Sequence, residues 1–298
     1  QYCFNVLDGK IVAGYNIQLA CFRHLRDLQR QGDSDFPYVY SIEAFNRFLK
    51  FLSLVPNVDD LSQKLEPMDW QYFIFAQLFA WFDLDDVPRF SNIIISIARS
   101  QGKTMIAGIC LNFSYLIEII GQSNQDFLVS SLNFDQTMKL FTYVKSMMAR
   151  IIENEPFKSL AEETQLQLYS REIKSLVDAN TIHTISFESG KFDGKHFKTA
   201  ISDEVGELRT DEGISKITSG QVNTEGSRFI EISTSYQTPD VPFHQEQKKL
   251  IEIMERDFDR SGDDQLCLIW SQDNLEEVFK PETWSKSNPL LNHPKLKD

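Results

Sequence analysis

The sequence predicts an α/β protein with a mostly parallel sheet covered by helices on both faces. Two observations predict it. Short apolar or β-branched runs alternate with longer segments of helical period, the pattern of strand–helix–strand units. The turn in "SIARSQGKTMIAG" (96–108) also joins the first such run directly to a buried helix through Gly102, Lys103 and Thr104. At such a junction, backbone N–H groups and a helix N-terminus can receive an anion.

The elements follow in order. Segment 19–31, "LACFRHLRDLQRQ", spaces Leu19, Phe22 and Leu25 as one helix face and carries Arg23, Arg26 and Arg30 on the other, a basic face that either meets a partner or, as is commoner, is solvated. "SIEAFNRFLKFLSLV" (41–55) is a second amphipathic helix with Ser41 as its cap. The aromatic-rich "MDWQYFIFAQLFAWF" (68–82) has helical period. "FSNIIISIA" (90–98) suits a strand buried on both faces. A buried helix over 103–120 follows, then a strand over 126–133 and a helix over 134–154. Strands are predicted at 181–187, 197–204, 228–236 and 265–270, with helices at 214–221 and 241–258. The last stretch, from Ser271, is polar, contains three prolines and reads as an extended linker or arm. The organisation expected is an N-terminal helical segment (1–58), a core (59–240), and a lid with linker (241–298).

Bulk properties exclude some functions. With 30 basic against 43 acidic residues the formal charge is −13, which argues against a protein that simply coats nucleic acid with a basic surface. The four cysteines include no CxxC pair, and the five histidines show no zinc-ligand spacing. No run of about 18 apolar residues is present, so no membrane partner is expected.

A phosphate loop needs a lysine that reaches the terminal phosphates and a hydroxyl for Mg²⁺. Lys103 and Thr104 have that placement after a strand and at the start of a helix. The consensus glycine five residues before Gly102 is replaced by Ile97, so the motif is degenerate. A second requirement is an acidic strand end. "TAISDE" supplies Asp203 to bind the metal and Glu204 to polarise a water. Ser233, Thr234 and Ser235 end the following strand and could sense the γ-phosphate. In "EPMDWQYF", Trp70 reads as core or as a base platform, and Gln71 as an amide for the edge of adenine. Together these features predict a P-loop NTPase of the RecA-like (ASCE) type, with a small helical lid.

The ordered set resembles the large terminase subunit of tailed bacteriophages, in its HK97-like branch. "MDWQYFIFAQLFAW" resembles that family's adenine-binding Q motif, "IARSQGKT" its degenerate Walker A, "DGKHFKTAISDEVGEL" its Walker B region and "RFIEISTSYQ" its coupling motif. "ETWSKSNPLL" resembles the linker to its nuclease domain, so the ATPase part alone is expected here, without DNA cleavage. The resemblance implies an ATPase that drives double-stranded DNA into a procapsid in the host cytoplasm. Its implied partners are the portal protein, the small terminase subunit and further copies of itself in a pentameric ring. It implies nucleotide contacts from Gln71, Arg99, Ser100, Gln101, Gly102, Lys103 and Thr104. Asp203 and Thr104 would hold Mg²⁺, Glu204 would activate water, Arg99 would contact the γ-phosphate, and Ser233 and Thr234 would couple hydrolysis to motion. A ring also calls for an arginine donated across the subunit interface, for which Arg209 and Arg228 are the candidates. The readings weighed against this one are a helicase-like DNA-dependent ATPase and a non-hydrolysing P-loop scaffold.

Overall fold

Apolar runs such as Ile93–Ile95, each wholly buried, have nowhere to go but the interior of a sheet covered on both sides. The computed structural model builds that sheet; it describes residues 1–293 apart from 62, 237, 239 and 257–259. The strands are β1 (Tyr38–Tyr40), β2 (Trp81–Asp83), β3 (Asn92–Ser96), β4 (Asp126–Ser130), β5 (Leu166–Leu168), β6 (Glu172–Ser175), β7 (Thr181–Thr184), β8 (Phe197–Asp203), β9 (Arg228–Ser233) and β10 (Gln265–Ile269). The helices are α1 (Tyr2–Leu7), α2 (Tyr15–Gln29), α3 (Ile42–Leu52), α4 (Asp69–Ala80), α5 (Lys103–Phe113), α6 (Phe134–Ile151), α7 (Phe157–Glu163), α8 (Glu212–Gln221) and α9 (Pro242–Glu255).

Eight strands form the main sheet in the order β10-β3-β9-β8-β4-β7-β6-β5. Six of them, from β10 to β7, run parallel, and β6 and β5 close that edge as an antiparallel hairpin. Strands β1 and β2 make a separate antiparallel ribbon. The parallel register sets the carboxyl ends of neighbouring strands side by side: Ser96 is paired with Ser233, and Asp203 with Ile232. In open α/β sheets this is the edge at which ligands bind.

Local chemistry places the helices. The Ser41 hydroxyl accepts the Ala44 N–H at 3.1 Å and starts α3, as the sequence predicts. Asn133 does the same for α6 through the Gln136 N–H at 3.0 Å. The helix expected over 103–120 is α-helical only to Phe113 and continues as a π-helical turn, Ser114–Glu118. That turn brings Glu118 within 2.8 Å of the Arg228 guanidinium. The helix expected over 241–258 spans Pro242–Glu255; positions 257 and 258 lie outside the described residues.

Two expectations need correction. The basic face of α2 is not solvated. Arg23 and Arg30 are each 7% exposed and converge with Arg89 on the buried Asp27 and on Asp263. Arg23 also donates to the Gly262 and Gln265 carbonyls at 2.6 and 2.8 Å. Buried guanidinium groups require such partners, so this face ties α2 to the turn before β10 and is unavailable to DNA. The C-terminal stretch is likewise no extended linker. Residues Leu275–Phe279, Pro281–Lys286 and Pro289–Asn292 form three 3₁₀ turns folded back on the domain; positions 294–298 of the expected arm lie outside the described residues. One hydrophobic core runs from Cys3 through Trp270, with Leu290 packed against it. The expected segments 1–58, 59–240 and 241–298 therefore share one core, and the last supplies β10 to the sheet.

Candidate nucleotide site

Between β3 and α5 the chain must reverse within a few residues, and Gly102 does this with φ +79°, a left-handed conformation that costs glycine little. Lys103 then opens α5. Its ammonium is folded into the turn, donating to the Ile97 and Ala98 carbonyls at 3.3 and 3.0 Å and to the Thr234 hydroxyl at 2.8 Å. Burial pushes the Lys103 pKa down, and the Asp203 and Glu204 carboxylates oppose that shift. Thr104 lies half-buried beside it.

Strand β8 carries the acids to the same edge. Burial, reinforced by Glu204, raises the Asp203 pKa to about 6, against the pull of Lys103. Glu204 leaves the strand with φ +62°, a strained conformation for a residue with a Cβ, at a cost of roughly 1–3 kcal/mol. Its N–H donates to the Ile232 carbonyl at 3.2 Å and to Asp203 Oδ1 at 2.8 Å. The Tyr236 hydroxyl donates to its carboxylate. The Arg99 guanidinium stands 5.5 Å from the centre of the same Tyr236 ring. Ser233 accepts the Gly206 N–H at 2.9 Å. A Cβ at Gly206 would lie 2.7 Å from the Thr234 carbonyl, so only glycine permits this closeness between the acid loop and the end of β9.

The loop and the paired acids face one cavity of about 350 Å³. Its walls are Arg99, Ser100, Gly102, Lys103 and Thr104 from the loop, and Asp203 and Glu204 from β8. Ser131, Gln136, Lys139 and Leu140 form a third wall that no motif had marked. Tyr236, in the stretch "EISTSYQ", joins the site through its hydrogen bond to Glu204.

Other expected residues stand elsewhere. Gln101 is 6% exposed, and its side chain turns away from the cavity to accept the Leu290 N–H at 2.9 Å. Gln71 caps its own helix, its Oε1 accepting the Met68 N–H at 2.8 Å. Its amide oxygen is thus engaged within its own helix in this structure. Its amide nitrogen lies 3.6 Å from where a Cβ on Gly102 would stand. Trp70 packs edge-on against Trp270, ring centres 5.4 Å apart, and both line a second cavity of about 380 Å³ with Met68, Val12, Pro289 and Asn292. Arg228 must be withdrawn as a cross-subunit arginine. It starts β9, at the end of the strand remote from Ser233, is 1% exposed and is paired with Glu118. Arg209 is exposed, just beyond the 3₁₀ turn Val205–Glu207.

A lysine in a strand–turn–helix loop, facing paired acids on a nearby parallel strand, is the arrangement of a nucleotide-hydrolysing core. The sequence matches the family described as terminase large subunit, ATPase domain, over residues 69–250, more than half of the chain. The chain belongs to that family. The terminase ATPase fold extends beyond the matched segment. The structure is similar to that of the HK97 bacteriophage large terminase, with a TM-score of 0.65 and 19% identity, covering 83% of this chain and 48% of that one. The chain thus spans about half the length of that terminase. A mutant ATPase domain of the Thermus phage P74-26 large terminase aligns with a TM-score of 0.49 and 12% identity, over 70% of this chain and 74% of that one. No curated protein matches the sequence. Among the described residues, no helix of this terminase ATPase domain is long and apolar enough to cross a membrane.

The raised Asp203 pKa has a measurable consequence. Between the ordinary aspartate value and about 6, the folded chain holds a proton that the unfolded chain releases. Stability therefore falls as pH rises through that window and stays lower above it. Asp203→Asn removes this effect. Chemical denaturation of the nucleotide-free protein should show the variant more stable by about 1–2 kcal/mol at pH 7, with the gain gone near pH 4.

Proposed function

We propose that this domain hydrolyses ATP with Mg²⁺ and uses the reaction to move double-stranded DNA into a procapsid. The observation that supports this most is the shared cavity: Lys103 and Thr104, which follow β3, meet Asp203 and Glu204 at the end of β8, with β9 between the two strands. The oxygen donors of Thr104 and Asp203 suit Mg²⁺, which keeps several waters and takes the rest of its ligands from phosphate. Asp203 is free to serve, since the one hydrogen bond to its carboxylate among the described residues comes from the Glu204 N–H. Bound Mg²⁺ would neutralise charge building on the phosphates.

Incoming phosphates draw the Lys103 ammonium away from the Ile97 and Ala98 carbonyls and from Thr234. Glu204, held by Tyr236, orients a water toward the γ-phosphate and takes its proton. Release of the Thr234 hydroxyl and the Ser233–Gly206 contact link loading to the end of β9. The base lies in the second cavity, beside Met68 and Trp70. Arg99, which shares Tyr236 with Glu204, turns to the γ-phosphate. Portal protein, small terminase subunit and a ring of five copies are the partners this reading entails, in the host cytoplasm.

In such a ring Arg209 reaches the neighbouring site. Turnover per chain should rise with protein concentration for the wild type, in steady-state ATP hydrolysis with Mg²⁺. It should stay low and flat for Arg209→Ala. Turnover strictly proportional to protein in both would remove the cross-subunit arginine. Absence of hydrolysis even with DNA and portal added would overturn the motor reading.

A further inference from the structure

The third wall of the phosphate cavity has no role in the scheme above. It is built by the end of β4 and the first turns of α6. Gln136, Lys139 and Leu140 follow one another at helical spacing, so they share a face of α6, and all three line the cavity. This face is held in place. The Thr137 hydroxyl accepts the Ser131 N–H at 3.0 Å and donates to the Asn133 carbonyl at 2.8 Å. The Ser131 hydroxyl in turn donates to the Asp203 backbone carbonyl at 3.1 Å. The start of α6 is thereby tied to the strand that carries the acids.

Lys139 differs from the other lysine of the cavity. Lys103 is buried and engaged by three oxygens. Lys139 is exposed and makes no hydrogen bond or ion pair with any described residue. Its charge nevertheless reaches the Asp203 carboxylate. Gln136 presents a buried amide oxygen without a partner. In the sheet, β4 lies on the far side of β8 from β3, so this wall faces the phosphate loop across the acid pair. A triphosphate anchored at Lys103 and attacked next to Glu204 presents its last phosphate to that wall. An ammonium on a flexible stem is suited to meet it as a point charge.

We infer that Lys139 is a γ-phosphate contact supplied by the same chain, distinguishing triphosphate from diphosphate. The inference rests on the reading of the cavity as the nucleotide site. The test is equilibrium binding of a non-hydrolysable ATP analogue and of ADP, each with Mg²⁺, by calorimetry. The proteins compared are the wild type, Lys139→Ala, Lys139→Arg and Lys103→Ala. Lys139→Ala should weaken the triphosphate analogue about tenfold, as expected for one charge-assisted contact, and leave ADP within about twofold. Lys139→Arg should restore the difference. Equal losses for both nucleotides, or none for either, would overturn the assignment. Failure of the underlying reading has a different signature: Lys103→Ala would then bind both nucleotides as the wild type does, or the wild type would bind neither.

Discussion

Lys103→Ala is expected to lower Mg²⁺-dependent ATP turnover by at least about 10²-fold, the scale on which a preorganised charge-stabilising donor acts. The ammonium is the one cation fixed inside the loop, held by the Ile97 and Ala98 carbonyls and by Thr234. Those bonds keep it at the mouth of α5, where the phosphates enter. Alanine removes that charge from the loop. Binding should therefore weaken along with turnover. The fold should survive, because burial already disfavours the charged lysine and its removal relieves that cost. Thermal denaturation beside the hydrolysis assay separates the two effects. Turnover within a few-fold of wild type in a folded variant would show that the loop is only a connection between β3 and α5.

Glu204→Gln is expected to separate binding from hydrolysis. The amide keeps the side-chain shape and can still accept from Tyr236, so nucleotide affinity should stay within a few-fold. Hydrolysis should fall by about 10²–10⁴, the contribution of a positioned general base. The backbone adds a reason to place the base here. Glu204 sits at φ +62° with its N–H shared between Ile232 and Asp203, so its carboxylate is aimed by a turn that most residues avoid. Rapid-quench measurement of ATP cleavage on preformed complexes checks this directly. A variant that cleaves at the wild-type rate would transfer the role to another group.

How much of this could be read beforehand depends on what fixes each residue. Lys103, Thr104, Asp203 and Glu204 stand at the ends of long apolar runs, and the parallel pattern alone brings such ends to one edge. Arg228 was also legible in principle. It begins its strand while Ser233 ends it, which places it at the opposite edge. The α2 arginines were not legible. Periodicity says which residues share a face, not what covers it, and their partner Asp263 lies more than 200 positions along the chain. The β1–β2 ribbon and the β5–β6 hairpin consist of strands of three or four residues, too short to show alternation. The turns after Ser271 take their order from distant contacts, such as Lys286 with Asp273 and Glu277 and Leu290 with Gln101. The direction of the Gln101 side chain and the cavity face of α6 left no mark in the sequence, since neither follows from a repeat or a motif.

The position of β10 has a further consequence. It pairs with β3 along all five residues, opposite β9, so the strand that carries the phosphate loop has its backbone groups taken on both sides. Were 265–269 missing, β3 would become an exposed edge with three isoleucines at its centre, the kind of surface that recruits strands from other molecules. The arginines of α2 and Arg89 clamp the turn that leads into β10. Their contribution therefore includes keeping β3 covered and closed to strand pairing between molecules.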